Sequence, residues 1–174
     1  MKNMGAIIAA HNTKILTAQP ASTAPTRLCN CTGSDPCPLD GKCLTEGIVY
    51  KATVSAPSTS DKVYYGLTAN TFKIRYADHK RSIRIRGEGT NRTALSIYVW
   101  ELKDRGLPVS IKWEIAHKAT SYQCGSRKCD LCIFEKTAIA LAEHESLLNK
   151  RSEIVSGCRH KAKFTCKGIK KNRK

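Results

Sequence analysis

The sequence predicts an α/β fold with a small three-stranded antiparallel sheet flanked by helices. Three observations lead to this prediction. The chain has 174 residues, of which 41% are hydrophobic, so it can build the core of one domain of ordinary size. Short stretches rich in Val, Ile and Tyr alternate apolar and other residues, as strands do. Longer stretches carry apolar residues at three- and four-residue spacing, as helices do.

The first two strands are predicted to form a hairpin that leads into a helix. Residues 47–55 are apolar at alternate positions, and residues 62–67 form a second apolar run. The stretch 56–61 between them contains Pro, Ser and Asp, which is typical of a loop. Thr68 or Asn70 then stands where a helix cap is expected.

The remaining elements follow from the same two periodicities. Helices are predicted where apolar residues recur at helical spacing: 71–86, 93–105, 131–142 and a short one near 151–156. Glycines follow the first two of these helices and would end them. Residues 110–117 alternate through Ile111, Trp113 and Ile115, which favours a third strand. The predicted order is therefore β-β-α-α-β-α.

The net charge of +16 is concentrated in two segments. Lys and Arg number 30 against 14 Asp and Glu. Residues 67–92 carry seven basic and two acidic side chains, hence +5, and residues 159–174 carry eight basic and no acidic ones, hence +8. Such a charge favours a polyanionic partner. No run approaches the ~18 consecutive apolar residues of a membrane span, so an integral membrane protein is not expected.

Composition divides the chain into four parts. Residues 1–28 mix Ala, Thr, Ser and Pro without clear periodicity, and we expect them to be flexible. Residues 29–46 are rich in cysteine, and residues 47–158 hold the predicted strands and helices. The basic tail 159–174 is expected to be flexible. It would serve as a nuclear localisation signal or bind phosphate groups non-specifically.

Seven of the nine cysteines, with one histidine, fall into two groups with the spacing of zinc ligands. Cys129 and Cys132 form a CxxC pair, and Cys158 and His160 could complete a tetrahedral shell. The second group lies in a segment too polar to build a core: Cys29, Cys31, Cys37 and Cys43. Four protein ligands leave no open coordination position, so both zinc sites are predicted to be structural and to staple these segments.

Two alternatives to zinc stay open. Some thiols, notably Cys29, Cys124 and Cys166, could simply be buried in a core. A disulfide framework in a secreted protein would instead require an oxidising compartment. The apolar stretch 4–10 is followed by polar residues and by no convincing cleavage site, so export is not favoured. In a reducing compartment, clustered thiols beside histidines more often bind zinc.

Six polar residues form a candidate catalytic set: Tyr50, Tyr64, Arg75, His79, Glu135 and Asn149. The two tyrosines lie on the two strands of the hairpin. Arg75 and His79 are four residues apart and share one face of the first helix. Taken alone, a strand tyrosine is more often a core residue, and a charged helix residue is usually solvated. The hypothesis depends on their occurring together in this order.

In this order and spacing the set resembles the motifs of the GIY-YIG nuclease family. Ile48-Val49-Tyr50 stands in place of the first motif, and Tyr64-Tyr65-Gly66 in place of the second. The cysteine run, the CxxC pair and the block from Leu147 to Glu153 make the chain most similar to the endonuclease domain of Penelope-like retroelements. The resemblance covers about residues 29–165. It departs from the family at Gly47, which is one place early, and at Tyr65, where an aliphatic residue is commoner.

The resemblance implies a metal-dependent DNA endonuclease that nicks target DNA for insertion of a retroelement. Glu135 would hold Mg²⁺ or Mn²⁺. Arg75 would brace the charge of the transition state. Tyr50 would act as the base once its pKa is lowered by Arg75, by the metal or by a hydrogen bond from Tyr64. His79 would orient groups or relay a proton.

The resemblance also implies a role for Asn149 in fixing the local backbone or the water network, and it implies partners. Basic side chains of the first helix would contact DNA: Lys73, Lys80, Arg81, Arg84 and Arg86. A reverse transcriptase encoded by the parent element is a further expected partner, and the expected localisation is nuclear. The alternative function is a decayed nuclease, a zinc-stabilised module that binds nucleic acid without cutting it.

Overall fold

The computed structural model describes residues 28–32, 36–86, 93–120 and 129–158. Within these ranges the chain forms three strands, three α-helices and one short 3-10 helix. In chain order they are β1 (Glu46–Ser55), β2 (Lys62–Thr71), α1 (Phe72–Arg84), α2 (Ala94–Asp104), β3 (Ser110–Lys118), α3 (Asp130–Leu141) and the 3-10 helix Arg151–Glu153. The predicted order β-β-α-α-β-α is confirmed.

The ends of the chain lie almost entirely outside the described residues, and one short element is shorter than predicted. Of the segment 1–28, only Leu28 belongs to the described residues, and the basic tail 159–174 lies wholly outside them. The predicted short helix near 151–156 is reduced to a single 3-10 turn over three residues. Across the described ranges, no helix combines the length and the apolar character needed to cross a membrane.

The sheet is antiparallel, with β1 in its centre and the strand order β2-β1-β3. Tyr50 of β1 is opposite Gly66 of β2, and Ala52 is opposite Tyr64. On its other side, Tyr50 pairs with Ile115 of β3. Residues directly opposite each other in antiparallel strands project to the same face. The register therefore places the two candidate catalytic tyrosines on one face of the sheet.

Helices cover both faces of this sheet. The face of Tyr50 carries the larger core, whose buried members are Leu39, Ile48, Tyr50, Ala52, Val54, Tyr64, Phe72, Leu95, Val99, Leu102 and Trp113. The smaller core contains Val49, Cys129 and Leu131. Because consecutive strand residues point to opposite faces, α3 packs on the other side of the sheet from α1 and α2. The predicted three-stranded sheet flanked by helices is thus confirmed.

The second strand is longer than predicted. β2 continues to Thr71, and α1 begins at Phe72 without an intervening loop. Glu46 at the start of β1 pairs with Thr71, so sheet pairing holds this polar stretch extended. The predicted cap at Thr68 or Asn70 was therefore wrong, because both residues belong to the strand and Thr71 occupies the cap position.

The first helix begins on the cysteine-rich segment. α1 has no side-chain cap. Its first N–H groups instead donate to carbonyl oxygens of that segment, Phe72 to Thr45 over 3.0 Å and Lys73 to Cys43 over 2.7 Å. These carbonyls satisfy donors that have no partner within the helix itself. The helix that carries two candidate catalytic residues is thus anchored at its start by the first cysteine group.

Candidate active site

The hydroxyl group of Tyr50 is the centre of the candidate active site. It lies 2.7 Å from Nε2 of His79, and Nε of Arg75 donates a hydrogen bond to it over 3.1 Å. Tyr50 and His79 are buried, with 0% and 2% of their surface exposed. The structure therefore brings together three of the six residues that the sequence suggested.

Strand pairing and helical spacing bring the Tyr50 hydroxyl together with Arg75 and His79. Tyr50 is directly opposite Gly66, and a Cβ built on Gly66 would lie 2.4 Å from the Tyr50 hydroxyl oxygen. Only a glycine lets the β2 backbone approach the hydroxyl this closely. Arg75 and His79 lie one turn apart on α1, and both reach the hydroxyl. Phe72 packs edge-on against the Tyr50 ring, with centroids 5.2 Å apart.

His79 is neutral in this site. Burial, followed by the positive charge of Arg75, lowers the pKa of His79 to about 3. A neutral imidazole nitrogen can accept the O–H of Tyr50, whereas the guanidinium of Arg75 can only donate. A directed chain of hydrogen bonds follows, from Arg75 Nε to Tyr50 and from Tyr50 to His79 Nε2. The ring proton of His79 then resides on Nδ1.

Burial also dominates the ionisation of both tyrosines. It raises the pKa of Tyr50, and the opposing charge and hydrogen bond of Arg75 do not outweigh it. Burial, followed by the proximity of Tyr50, raises the pKa of Tyr64 as well. The ring of Tyr64 lies edge-on to His79, with centroids 6.1 Å apart. The predicted effect of Arg75 on Tyr50 is present, but both tyrosines keep their protons at neutral pH.

Glu135 on α3 is electrostatically coupled to this cluster. Burial, followed by the negative charge of Glu153, raises the pKa of Glu135 to about 7. Its charge in turn raises the pKa of Tyr50 and of Tyr64. A divalent cation would relieve the repulsion between the two carboxylates, and Mg²⁺ usually takes only one or two carboxylates from a protein. The metal-binding role that the resemblance implies for Glu135 stays a prediction.

Asn149 extends the hydrogen bonding at the edge of β2. Its carboxamide oxygen accepts the backbone N–H of Tyr65 over 2.7 Å, and its amide nitrogen donates to the Tyr65 carbonyl over 2.8 Å. The side chain therefore pairs with β2 as a neighbouring peptide group would. The amide nitrogen also donates to Oε2 of Glu153 over 3.0 Å. Asn149 thus contacts the strand that carries Tyr64 and Gly66.

Two residues of this site were not predicted. Trp113 of β3 lies against the rings of His79 and Tyr50, with centroids 5.2 and 5.8 Å away. Glu153 binds Asn149 and repels Glu135. In the sequence Trp113 is visible only as an apolar strand position. Glu153 ends the block Leu147 to Glu153 that supported the resemblance, and its four-residue spacing from Asn149 is the signal for their contact.

The cysteines gather into two clusters, as their spacing predicts. Within each cluster the sulfur atoms lie within 4.8 Å of one another and could share a metal ion: Cys29, Cys31, Cys37 and Cys43 in the first, and Cys129, Cys132 and Cys158 in the second. None of these seven described cysteines forms a disulfide. His160, the predicted fourth ligand of the second cluster, lies outside the described residues, as do Cys124 and Cys166.

The thiols of the first cluster differ in acidity. Burial raises the pKa of Cys43 to about 12. At Cys37 burial acts in the same direction, but several backbone hydrogen bonds outweigh it and lower the pKa to about 6. Zinc binds the thiolate form. Among the thiols of this cluster whose pKa is shifted, Cys37 is therefore the one most easily deprotonated to the thiolate that binds a metal.

The five basic residues predicted to contact DNA differ in their surroundings. Arg86 forms a two-pronged pair with Asp104 over 3.2 and 2.8 Å. Lys73 donates to the side-chain oxygen of Asn30 over 2.8 Å. The other three line a groove of about 750 Å³ between α1 and β3: Lys80, Arg81 and Arg84, together with Tyr76, Lys103 and Trp113. The groove thus contains three of the five predicted DNA-contacting residues, and its lining also includes the acidic Asp78.

Comparison of the chain with protein-family models, with curated proteins and with solved structures finds no match. The arrangement around Tyr50 is therefore the basis on which a function can be proposed.

His79 should make the fold sensitive to acid. The folded protein keeps His79 neutral down to a pKa of about 3, whereas an ordinary histidine titrates near 6.5. The unfolded chain binds the proton first, so this stability is present above pH 6.5 and is lost as the pH falls toward 3. Each unit of pKa shift corresponds to about 1.4 kcal/mol. In urea denaturation, His79→Gln should flatten the pH dependence of the free energy of unfolding over this range.

His144 provides the matched control, because it is exposed. His144→Gln should leave the pH dependence of the wild type in place. A His79→Gln profile as steep as that of the wild type would contradict a buried, neutral His79.

Gly66→Ala should destabilise the fold. The new Cβ would meet the Tyr50 hydroxyl oxygen at 2.4 Å and Cζ at 2.6 Å, and the buried ring has no room to retreat. Overpacking of this kind typically costs about 1–3 kcal/mol. Gly157→Ala is the control, since nothing lies within 4 Å of a Cβ at that position. Equal free energies of unfolding for the two variants would show that β2 does not approach Tyr50 so closely.

Proposed function

We propose that this chain is a metal-dependent DNA endonuclease of the GIY-YIG type, which hydrolyses a phosphodiester bond and nicks one strand. The observation that carries the proposal is the buried Tyr50 hydroxyl, hydrogen-bonded to both Arg75 and His79 and electrostatically coupled to Glu135. Phosphodiester hydrolysis needs proton transfer, stabilisation of anionic charge and commonly a divalent cation. A phenol, an imidazole, a guanidinium and a carboxylate supply these needs.

In the proposed reaction Tyr50 acts as its phenolate, having released its own proton to solvent, and accepts the proton of the attacking water. The neutral Nε2 of His79 lies 2.7 Å from the hydroxyl and orients it, because an imidazole whose pKa is lowered to about 3 does not retain a proton at neutral pH. Arg75 favours the phenolate through its charge and its hydrogen bond. The same guanidinium has further N–H donors that can bind a phosphate oxygen.

Glu135 is the residue that would hold Mg²⁺ or Mn²⁺. When bound, the cation supplies Lewis-acid polarisation of the phosphate. With its pKa raised to about 7, the carboxyl group is partly protonated at neutral pH, so it must lose a proton to bind a cation. A cation beside Glu135 would also offset the negative charge that opposes ionisation of Tyr50.

We further propose that the two cysteine clusters hold structural Zn²⁺. The grouping of their sulfur atoms within 4.8 Å supports this assignment. The first cluster supplies four thiols, which suffice for a tetrahedral shell. The second supplies three, and His160 remains the proposed fourth ligand.

The proposed substrate surface is the basic groove beside α1. Its cations Lys80, Arg81 and Arg84 suit the phosphates of a DNA backbone. Together with the cysteine clusters, this surface supports an endonuclease domain like that of Penelope-like retroelements. Nuclear localisation and a reverse transcriptase partner belong to the same proposal.

A second candidate function is a decayed nuclease that binds nucleic acid without cutting it. One observation favours it. Burial raises the pKa of both Tyr50 and Tyr64, so neither of these two tyrosines is already activated as a base in the metal-free protein. A plasmid assay separates the two functions.

Wild-type protein should nick supercoiled plasmid DNA when Mg²⁺ is present, with EDTA abolishing the reaction. Glu135→Gln and Arg75→Gln should each slow nicking by about 100-fold or more, because each removes a group that stabilises charge in the transition state. Glu143→Gln is the control, since Glu143 is exposed just beyond α3.

Two results would count against catalysis. Nicking that survives both Glu135→Gln and Arg75→Gln would show that another centre or a contaminant cuts. Salt-sensitive DNA binding without any nicking would instead support the decayed module.

The zinc assignment predicts two Zn²⁺ ions per chain by elemental analysis and native mass spectrometry. Cys37→Ser and Cys129→Ser should each lose one ion, and each should lower the melting temperature because a structural site contributes to folding. Cys124→Ser, to which this assignment gives no ligand role, should keep two. Disulfides under non-reducing conditions, or thiols without metal, would contradict the assignment.

A further inference from the structure

We infer that Glu153 is a positioning residue of the candidate active site, and that it acts through Asn149 on the β2 backbone that contacts Tyr50. The inference deepens the proposed function and rests on it. Glu153 ends the 3-10 helix and is partly buried. Its hydrogen bond to Asn149, and those of Asn149 to Tyr65, lead to the strand that lies opposite Tyr50.

The carboxylate of Glu153 is fixed at both oxygens. Oε1 accepts the backbone N–H of Lys150 and Oε2 accepts the side-chain N–H of Asn149, each over 3.0 Å. The Lys150 bond ties the carboxylate to its own segment. Asn149 is only 7% exposed, so its amide hydrogens need protein partners. Glu153 provides one of them.

Asn149 carries the constraint to β2. Its amide holds the N–H and the C=O of Tyr65 over 2.7 and 2.8 Å. The flanking residues are Tyr64, whose ring packs on His79, and Gly66, whose backbone meets the Tyr50 hydroxyl. Hydrogen bonds to both the N–H and the C=O of Tyr65 restrict the backbone on either side of this residue. Displacement of Asn149 should therefore loosen the close contact at Tyr50.

An acceptor at position 153 matches the donor that Asn149 turns toward it. A carboxylate can only accept hydrogen bonds, so it selects the orientation of Asn149 that turns the amide nitrogen toward it. The opposite orientation would set the carboxamide oxygen against both Glu153 and the Tyr65 carbonyl. Glu153 therefore reinforces the orientation that pairs with β2.

Two substitutions separate this positioning role from the charge of Glu153, which repels Glu135. Glu153→Gln removes the charge and keeps one acceptor oxygen within reach of Asn149, while its NH2 group takes the place of the oxygen that accepts the Lys150 N–H. Glu153→Asp keeps the charge and withdraws the oxygen by one methylene. Glu153→Ala removes both. Ser152→Ala, at an exposed neighbouring residue, is the control.

The first measurement is hydrogen exchange at the Tyr65 amide in the full chain without Mg²⁺. Exchange should be about tenfold faster in Glu153→Ala and Glu153→Asp, which corresponds to losing about 1.4 kcal/mol of local protection. Glu153→Gln and Ser152→Ala should exchange like the wild type. If Glu153→Ala does not fold, the Asp and Gln pair decides the result.

The second measurement is the rate of plasmid nicking with Mg²⁺. Glu153→Asp should lower kcat about tenfold with KM for DNA unchanged, in line with the loss of positioning, and Glu153→Gln should restore it. The inference is overturned if Tyr65 exchange is unchanged in Glu153→Asp, if exchange accelerates while kcat stays at the wild-type value, or if Gln is as slow as Asp. A wild-type protein that does not nick refutes the proposed function. In that case the exchange measurement alone supports or overturns the link from Glu153 to β2.

Discussion

The close approach of the β2 backbone to the buried Tyr50 hydroxyl is the constraint on which the rest of the site depends. It requires Tyr50 on the central strand, Gly66 opposite it and a hairpin register that holds them together. Because α1 follows β2 without a loop, the same register also sets the position of the first turns of α1, which carry Arg75 and His79. One strand pairing thus determines the position of a phenol, a guanidinium and an imidazole.

Burial determines which side chains of this cluster carry a charge. An uncompensated charge in a buried site is costly, so His79 and the tyrosines remain neutral and Arg75 is the main positive charge among them. Glu135 is held near its neutral form by the same effect, strengthened by Glu153. A cation or a phosphate entering the site would therefore change several protonation equilibria at once.

Much of the fold could be predicted because the periodicities are local. Alternation along β1 and β3 and the helical spacing along α1, α2 and α3 identify these elements and their order. The polar end of β2 could not be recognised, since pairing with Glu46 rather than apolar alternation keeps it extended. The spacing of Tyr50, Arg75 and His79 indicated a site, but the contact of Glu153 with Asn149 arises only when the segment after α3 folds against β2. Likewise, Arg86 could be assigned to Asp104 only once α1 and α2 were side by side.

The start of α1 has a consequence for how this protein folds. Its first N–H groups are capped by carbonyl oxygens of Cys43 and Thr45, and Leu39 is part of the main core. The cysteine-rich segment therefore packs against the main core and supplies hydrogen-bond acceptors to the first turn of α1. A chain shortened to begin at Gly47 would lose the acceptors that start the helix. The thiol chemistry of a segment well outside the candidate active site is in this way connected to the placement of Arg75 and His79.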